Sequence, residues 1–212
     1  MQKLVAGIHH FRSHYFAENQ SLFEHLASNG QSPETLFITC SDSRVVPNLI
    51  TNTAPGELFI VRNVGNIVPA LERGMIGGVA AAIEYAVEVL NVENIVICGH
   101  TQCGAIDAIL DPERVRHLGF VSRWLGESEA IPNLLRDKYA HLKGEARLVA
   151  AAEENVLVQL ENLRSYPFVS ERLDAGKLKL AGWVFKIATA QVFAYDPVLE
   201  QFVAFARAEG SP

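Results

Sequence analysis

Apolar residues recur along this chain in two alternating rhythms, one helical and one of short continuous runs. Leu4, Ile8, Phe11 and Tyr15 fall at spacings of four, three and four, the stripe of an amphipathic helix. Leu22, Phe23 and Leu26 predict a second short helix, which Gln31-Ser32-Pro33 breaks. TLFITC (35–40) then reads as a buried strand, and PGELFIVRN (55–63) as a turn followed by another. The Ala-rich stretch 74–90 is helical in pattern, and NIVICGH (94–100) is a third strand with nearly continuous apolar character. QCGAIDAIL (102–110) opens a helix that Asp111-Pro112 stops. Ala146, Val149, Ala150, Val156, Leu157, Leu160 and Leu163 trace one face of a long helix. Residues 180–197 pattern as two strands joined by a short turn.

Strands alternating with helices predict an α/β fold. The expected sheet is mainly parallel, with four strands and an antiparallel edge strand, flanked by helices. Neither a repeat nor a linker interrupts the chain. It reads as one domain over 1–212, with a helical arm at 1–30, an α/β core at 31–205 and a loose tail at 206–212. Gly74, Gly77 and Gly78 precede a helix as a phosphate cradle would, but no Lys-Ser/Thr follows, so close helix packing is the expectation there.

Composition narrows the function. Of 212 residues, 49% are apolar, enough for a substantial core, and the net charge of −6 argues against binding a nucleic-acid backbone. No apolar run reaches the roughly eighteen residues of a membrane span. The N-terminus meets His9, His10 and Arg12 too soon for a secretory apolar region. With three cysteines (Cys40, Cys98 and Cys103) a complete disulfide framework is impossible, and a cytoplasmic location is expected.

Those cysteines bring in the chemistry. Cys40 ends the first strand and His100 the third, and parallel strands put both ends on one side of the sheet, where open α/β folds bind ligands. Cys103 follows His100 by three residues and can reach the same point. Two thiolates and an imidazole suit zinc, and three protein ligands leave one position open for catalysis. Cys98 shares a strand face with His100 but lies about 6–7 Å deeper, which predicts a buried apolar thiol. A structural zinc, or two unrelated buried thiols, is the alternative. Asp42 and Arg44 weigh against it: a carboxylate beside the metal can orient water, and an arginine fork can hold that carboxylate ionised.

With these residues placed, the sequence resembles the β-class carbonic anhydrases. The matching motifs are C-x-D-S-R (Cys40 to Arg44), VRNVGN (Val61 to Asn66) and H-x-x-C-G (His100 to Gly104). The likeness is to the plant-type subgroup, in its bacterial and cyanobacterial form. It implies Cys40, His100 and Cys103 as zinc ligands and Asp42–Arg44 as a catalytic dyad. It further implies Gln31 as a hydrogen-bonding partner of substrate, Phe59, Val64 and Tyr85 as walls of an apolar pocket across a dimer interface, and the Gly104 N–H facing substrate. Two departures stand out. Phe37 occupies the place of a tryptophan found in the bicarbonate-inhibited bacterial subgroup, although Arg62 is present. Val89 stands where plant members carry a proton-shuttling histidine.

The implied reaction is zinc-dependent, reversible hydration of carbon dioxide to bicarbonate and a proton, with zinc-generated hydroxide as nucleophile. The implied assembly is a homodimer, extended to a tetramer or octamer, in which the N-terminal helices reach onto a partner subunit and cover their apolar stripe. Neither nucleic acid nor membrane is an expected partner. Rivals are hydrolysis of carbon disulfide or carbonyl sulfide on the same zinc site, and a structural-zinc assembly protein.

Overall fold

The computed structural model describes residues 1–71 and 77–205. Gly74 and the tail at 206–212 lie outside the described residues. The chain divides into two compact units, Met1–Ser32 and Pro33–Pro212.

The first unit is helical: α1 (Gln2–Ser13), α2 (Tyr15–Glu18) and α3 (Gln20–Asn29). None of its helical residues is buried, and Leu4, Val5, Ile8 and Phe11 are exposed along α1. The aromatic rings gather instead of spreading. Phe23 stands edge-on to Phe11 at 5.8 Å and to Tyr15 at 6.3 Å between centroids, distances favoured by ring quadrupoles.

The second unit is a layered α/β fold. Its elements are β1 (Thr35–Cys40), α4 (Pro47–Thr51), β2 (Leu58–Asn63), α5 (Gly78–Glu84), β3 (Asn94–His100), α6 (Gly104–Leu110), α7 (Gly119–Leu125), α8 (Ile131–Lys138), α9 (Gly144–Arg164), α10 (Pro167–Asp174), β4 (Lys179–Lys186), β5 (Gln191–Asp196) and β6 (Gln201–Ala204). The strand order is β2-β1-β3-β4-β5-β6. β2, β1, β3 and β4 run parallel, and β5 and β6 add an antiparallel hairpin edge. The predicted sheet is therefore correct in its four parallel strands, and β6 supplies a second antiparallel strand that the sequence pattern missed. Four residues with exposed positions are too few to show a period.

Leu36, Ile38, Ile95 and Ile97 are fully buried at the centre of the sheet, each contributing about 1.5–3 kcal/mol by leaving water. The long α9 lies flat across β3 and β4 because those strands present glycine beneath it. A Cβ on Gly99 would stand 2.9 Å from Val156, and one on Gly182 2.8 Å from Val156 and 2.9 Å from Leu160. Gly77 and Gly78 behave differently. Added Cβ atoms there would meet nothing within 4 Å among the described residues, which show none of the close packing expected of them. The Ala-rich helix also changes form: α5 passes into a π-turn over Tyr85–Val89.

Candidate metal centre

β1 and β3 are direct neighbours, in register Thr39 with Cys98, so both chains leave the sheet at the same edge. That register delivers Cys40 and His100 together, and the short segment after β3 folds Cys103 back beside them. The donor atoms of the three residues all lie within 4.8 Å of one another, and all three side chains are buried. Gln102 adopts a left-handed φ of 56° within this segment, the bend that lets Cys103 return to the site.

The geometry fits a metal ion. Two sulfurs on a tetrahedral zinc, each about 2.3 Å from it, stand about 3.8 Å apart. Cys40 Sγ and Cys103 Sγ are 3.9 Å apart. His100 Nδ1 lies 2.9 Å from the Thr101 carbonyl oxygen, which makes Nδ1 the protonated nitrogen. Nε2 then presents its lone pair to the site, and it is a buried polar atom with no hydrogen-bond partner among the described residues. A buried acceptor left unsatisfied is costly, and a metal removes that cost.

The thiols are tuned in opposite directions. The S–H of Cys103 stabilises a thiolate on Cys40; this bond, opposed by burial and helped by the Gly65 N–H, holds the Cys40 thiol well below its ordinary value. The same bond, together with burial, pushes Cys103 up. The two sulfurs are placed for one S–H···S hydrogen bond, which a metal held by both would replace.

Asp42 and Arg44 sit at the rim. Asp42 Oδ2 is 3.9 Å from His100 Nε2 and 2.7 Å from Arg44 Nη2. Arg44 Nη2 also donates to the Gln102 carbonyl at 3.0 Å, tying the dyad to the segment that carries Cys103. Hydrogen bonds from Arg44, outweighing burial, hold the Asp42 carboxyl well below the usual carboxylate range. Arg62, which the sequence linked only to a shared motif, donates to the Cys40 carbonyl at 3.1 Å and the Asp42 carbonyl at 2.7 Å. It braces the backbone on both sides of Ser41.

Cys98 is fully buried among Phe37, Val45, Val96 and Phe185, and burial pushes its thiol up to about 12. It does not join the metal cluster. Phe59 and Tyr85 come together, with ring centroids 6.0 Å apart. Phe59 pairs in register with Leu36, four residues and about 13 Å back from the Cys40 end of the sheet. Val64 is exposed, Gly104 opens α6 with open space around it, and Gln31 is an exposed residue of the N-terminal unit.

Residues 35–192 match the profile of the carbonic anhydrase family. A carbonic anhydrase of Synechocystis is 46% identical over 205 residues, covering 96% of this chain and 74% of its own length. One from Pseudomonas aeruginosa is 43% identical over 206 residues, covering 97% and 92%. The solved β-carbonic anhydrase CcaA superposes with a TM-score of 0.93 at 46% identity, over 96% of this chain and 98% of that one. The chain belongs to the β-class carbonic anhydrases. As a β-carbonic anhydrase it catalyses the reversible hydration of carbon dioxide to bicarbonate with zinc as its metal. These likenesses do not favour hydrolysis of carbon disulfide or carbonyl sulfide. Among the described residues the cluster brings together three protein donors without Cys98, a set that fits a zinc with one open position.

Sequence reasoning missed Gly65, Trp124 and Asn155. Gly65 donates its N–H to Cys40 Sγ at 3.4 Å, and only the Gly-Asn turn signal of VRNVGN could have pointed to it. Trp124 and Asn155 contact that turn from 60 and 90 residues away and carry no local signal.

Proposed function

We propose that Cys40, His100 and Cys103 are the zinc ligands of this carbonic anhydrase and that Asp42 and Arg44 are its catalytic dyad. The observation that carries this reading is the position of the Asp42 carboxylate, 3.9 Å from the free nitrogen of His100 with both oxygens gripped by Arg44. Zinc supplies the Lewis acidity that makes hydroxide available near neutral pH. Asp42 is an ionised acceptor there, so it receives a hydrogen bond from the attacking water and fixes the direction of its lone pair. Arg44 keeps Asp42 from turning away. A carboxylate held so far below neutrality is a poor store for the released proton. Val89 offers no shuttle either, and the proton leaves by buffer or by another group.

Gln31, Phe59, Val64, Tyr85 and Gly104 would serve carbon dioxide, as the family likeness implies: Gln31 and the Gly104 N–H by hydrogen bonds, the others by an apolar wall. Phe59 lies far back from its own chain's ligands along β2, and the Tyr85 ring, from the π-turn after α5, stands beside it. This supports a dimer in which each subunit's aromatic pair faces the other's zinc. The exposed apolar stripe of α1 supports the same assembly, and the solved relatives from Sordaria macrospora are tetrameric. Three unpaired buried thiols support a reducing, cytoplasmic setting. The chain forms one domain in which residues 1–30 are a helical arm and 31–205 the α/β core.

Stopped-flow hydration of carbon dioxide with zinc quantification, on wild type and Asp42→Asn, tests the reading. Full zinc with depressed turnover in the variant is the expected result. A zinc-replete wild type inactive from about pH 6 to 9 overturns it.

A further inference from the structure

The turn after β2 carries a peptide group whose two ends face different partners. Ile67 N donates to Asn63 Oδ1 at 2.7 Å, and Asn63 Nδ2 donates to the Ile67 carbonyl at 2.8 Å, closing the turn. Gly65 and Asn66 pass through it with φ of 85° and 48°. The Gly65 N–H donates to Cys40 Sγ at 3.4 Å. The carbonyl of that same peptide group, on Val64, accepts from the indole Nε1 of Trp124 at 2.7 Å. Gly65's own carbonyl accepts from Asn155 Nδ2 at 3.0 Å.

Asn155 is itself fixed. It is fully buried on α9, and its Oδ1 accepts from Gln159 Nε2 at 3.0 Å and from Ser128 Oγ at 3.2 Å. Gln159 Oε1 in turn accepts the Val68 N–H at 2.8 Å, just beyond the turn. The turn is therefore held from both ends by a buried amide ladder on α9. There is little slack on the other side, since a Cβ on Gly65 would stand 3.1 Å from that of Ala105.

The consequence is electronic as well as steric. A peptide that accepts a hydrogen bond at its oxygen becomes a stronger donor at its nitrogen. The series runs from Trp124 Nε1–H to the Val64 carbonyl, then from the Gly65 N–H to the Cys40 sulfur. A thiolate that receives such a bond gives less charge to a metal it binds, because part of its lone-pair density is engaged elsewhere.

We infer that Trp124 and Asn155 are positioning residues that set the hydrogen bond from Gly65 N–H to the Cys40 sulfur and so tune how much charge that thiolate gives the zinc. The inference rests on Cys40 being a ligand. Its predicted signature is spectroscopic, which separates it from a merely structural role for the half-buried Trp124 ring.

Trp124→Phe keeps an aromatic ring in the cluster and removes the donor. In the cobalt-substituted protein this variant should shift the thiolate-to-cobalt charge-transfer band to longer wavelength while binding one metal per chain. Asn155→Ser should move the band in the same direction. A band unmoved in both variants overturns the inference, even where thermal stability falls. If neither variant folds, cadmium-loaded wild type decides: scalar coupling between the metal and the Gly65 amide proton supports the bond, and its absence overturns it. Cys40→Ser is the control on the underlying site. It should lose part of the charge-transfer intensity, and an undiminished band overturns the ligand assignment itself rather than the role of Trp124.

Discussion

Arg44 holds both carboxylate oxygens of Asp42, with Nε to Oδ1 at 2.9 Å and Nη2 to Oδ2 at 2.7 Å. The Arg44 backbone N–H adds a third bond to Oδ1 at 3.0 Å. Two residues apart in sequence, the pair forms a planar fork that a point charge cannot reproduce. Arg44→Lys is therefore expected to lower kcat/KM by about 10–100-fold with zinc content unchanged. Stopped-flow rates beside metal analysis check this, and wild-type rates in Arg44→Lys would show that the fork is dispensable.

Cys98 shares a strand with His100 but faces an apolar cluster. Cys98→Ala should retain one zinc per chain and lose about 1 kcal/mol of stability through the small cavity it leaves. Denaturant melts and metal analysis measure the two effects separately. Loss of zinc would revive the four-ligand structural site.

Gly182 lies under α9, where an added Cβ would stand 2.8 Å from Val156 and 2.9 Å from Leu160. Gly182→Ala should cost about 1–3 kcal/mol by overpacking. Val156→Ala in the same chain should recover part of that cost, because the two side chains compete for one space. A double-mutant cycle in urea gives the coupling, and strictly additive effects would contradict the packing described.

Burial raises the pKa of Glu153, opposed by Lys186 and reinforced by Glu154. Its folded form holds a proton more tightly than the unfolded chain, so the native state binds more protons in the window above the unfolded value, about 4.3. Stability therefore falls as pH rises through that window. Glu153→Gln removes the ionisation, and its stability relative to wild type should increase from about pH 4 toward neutrality. Urea titrations across that range check the sign; a relative stability that decreases with pH would contradict it.

How far the sequence reaches depends on whether the information is local. TLFITC and NIVICGH announce their strands by composition, and parallel pairing then forces Cys40 and His100 to one edge of the sheet. The meeting of Cys40 and His100 was legible for that reason. The spacing of Cys103 from His100, and of Asp42 and Arg44 from Cys40, is equally local, and each of these side chains is where its spacing implies. The Ala-rich helix was legible in type from Gly78 onward but not in detail, since the change to a π-turn at Tyr85 leaves no mark on the apolar pattern. The short edge strand β6 escaped for want of length.

The sequence by itself determined the strand ends, the candidate donors and the family likeness, because each motif is local and parallel pairing of the two strands brings the motifs to one end of the sheet. Only the tertiary structure decided which nitrogen of His100 is free, that α9 settles onto glycines, and that Trp124 and Asn155 meet at the turn of Val64 and Gly65. Those relationships are made by packing between elements, and neither Trp124 nor Asn155 carries a local motif that announces its contact across 60 or 90 positions of chain.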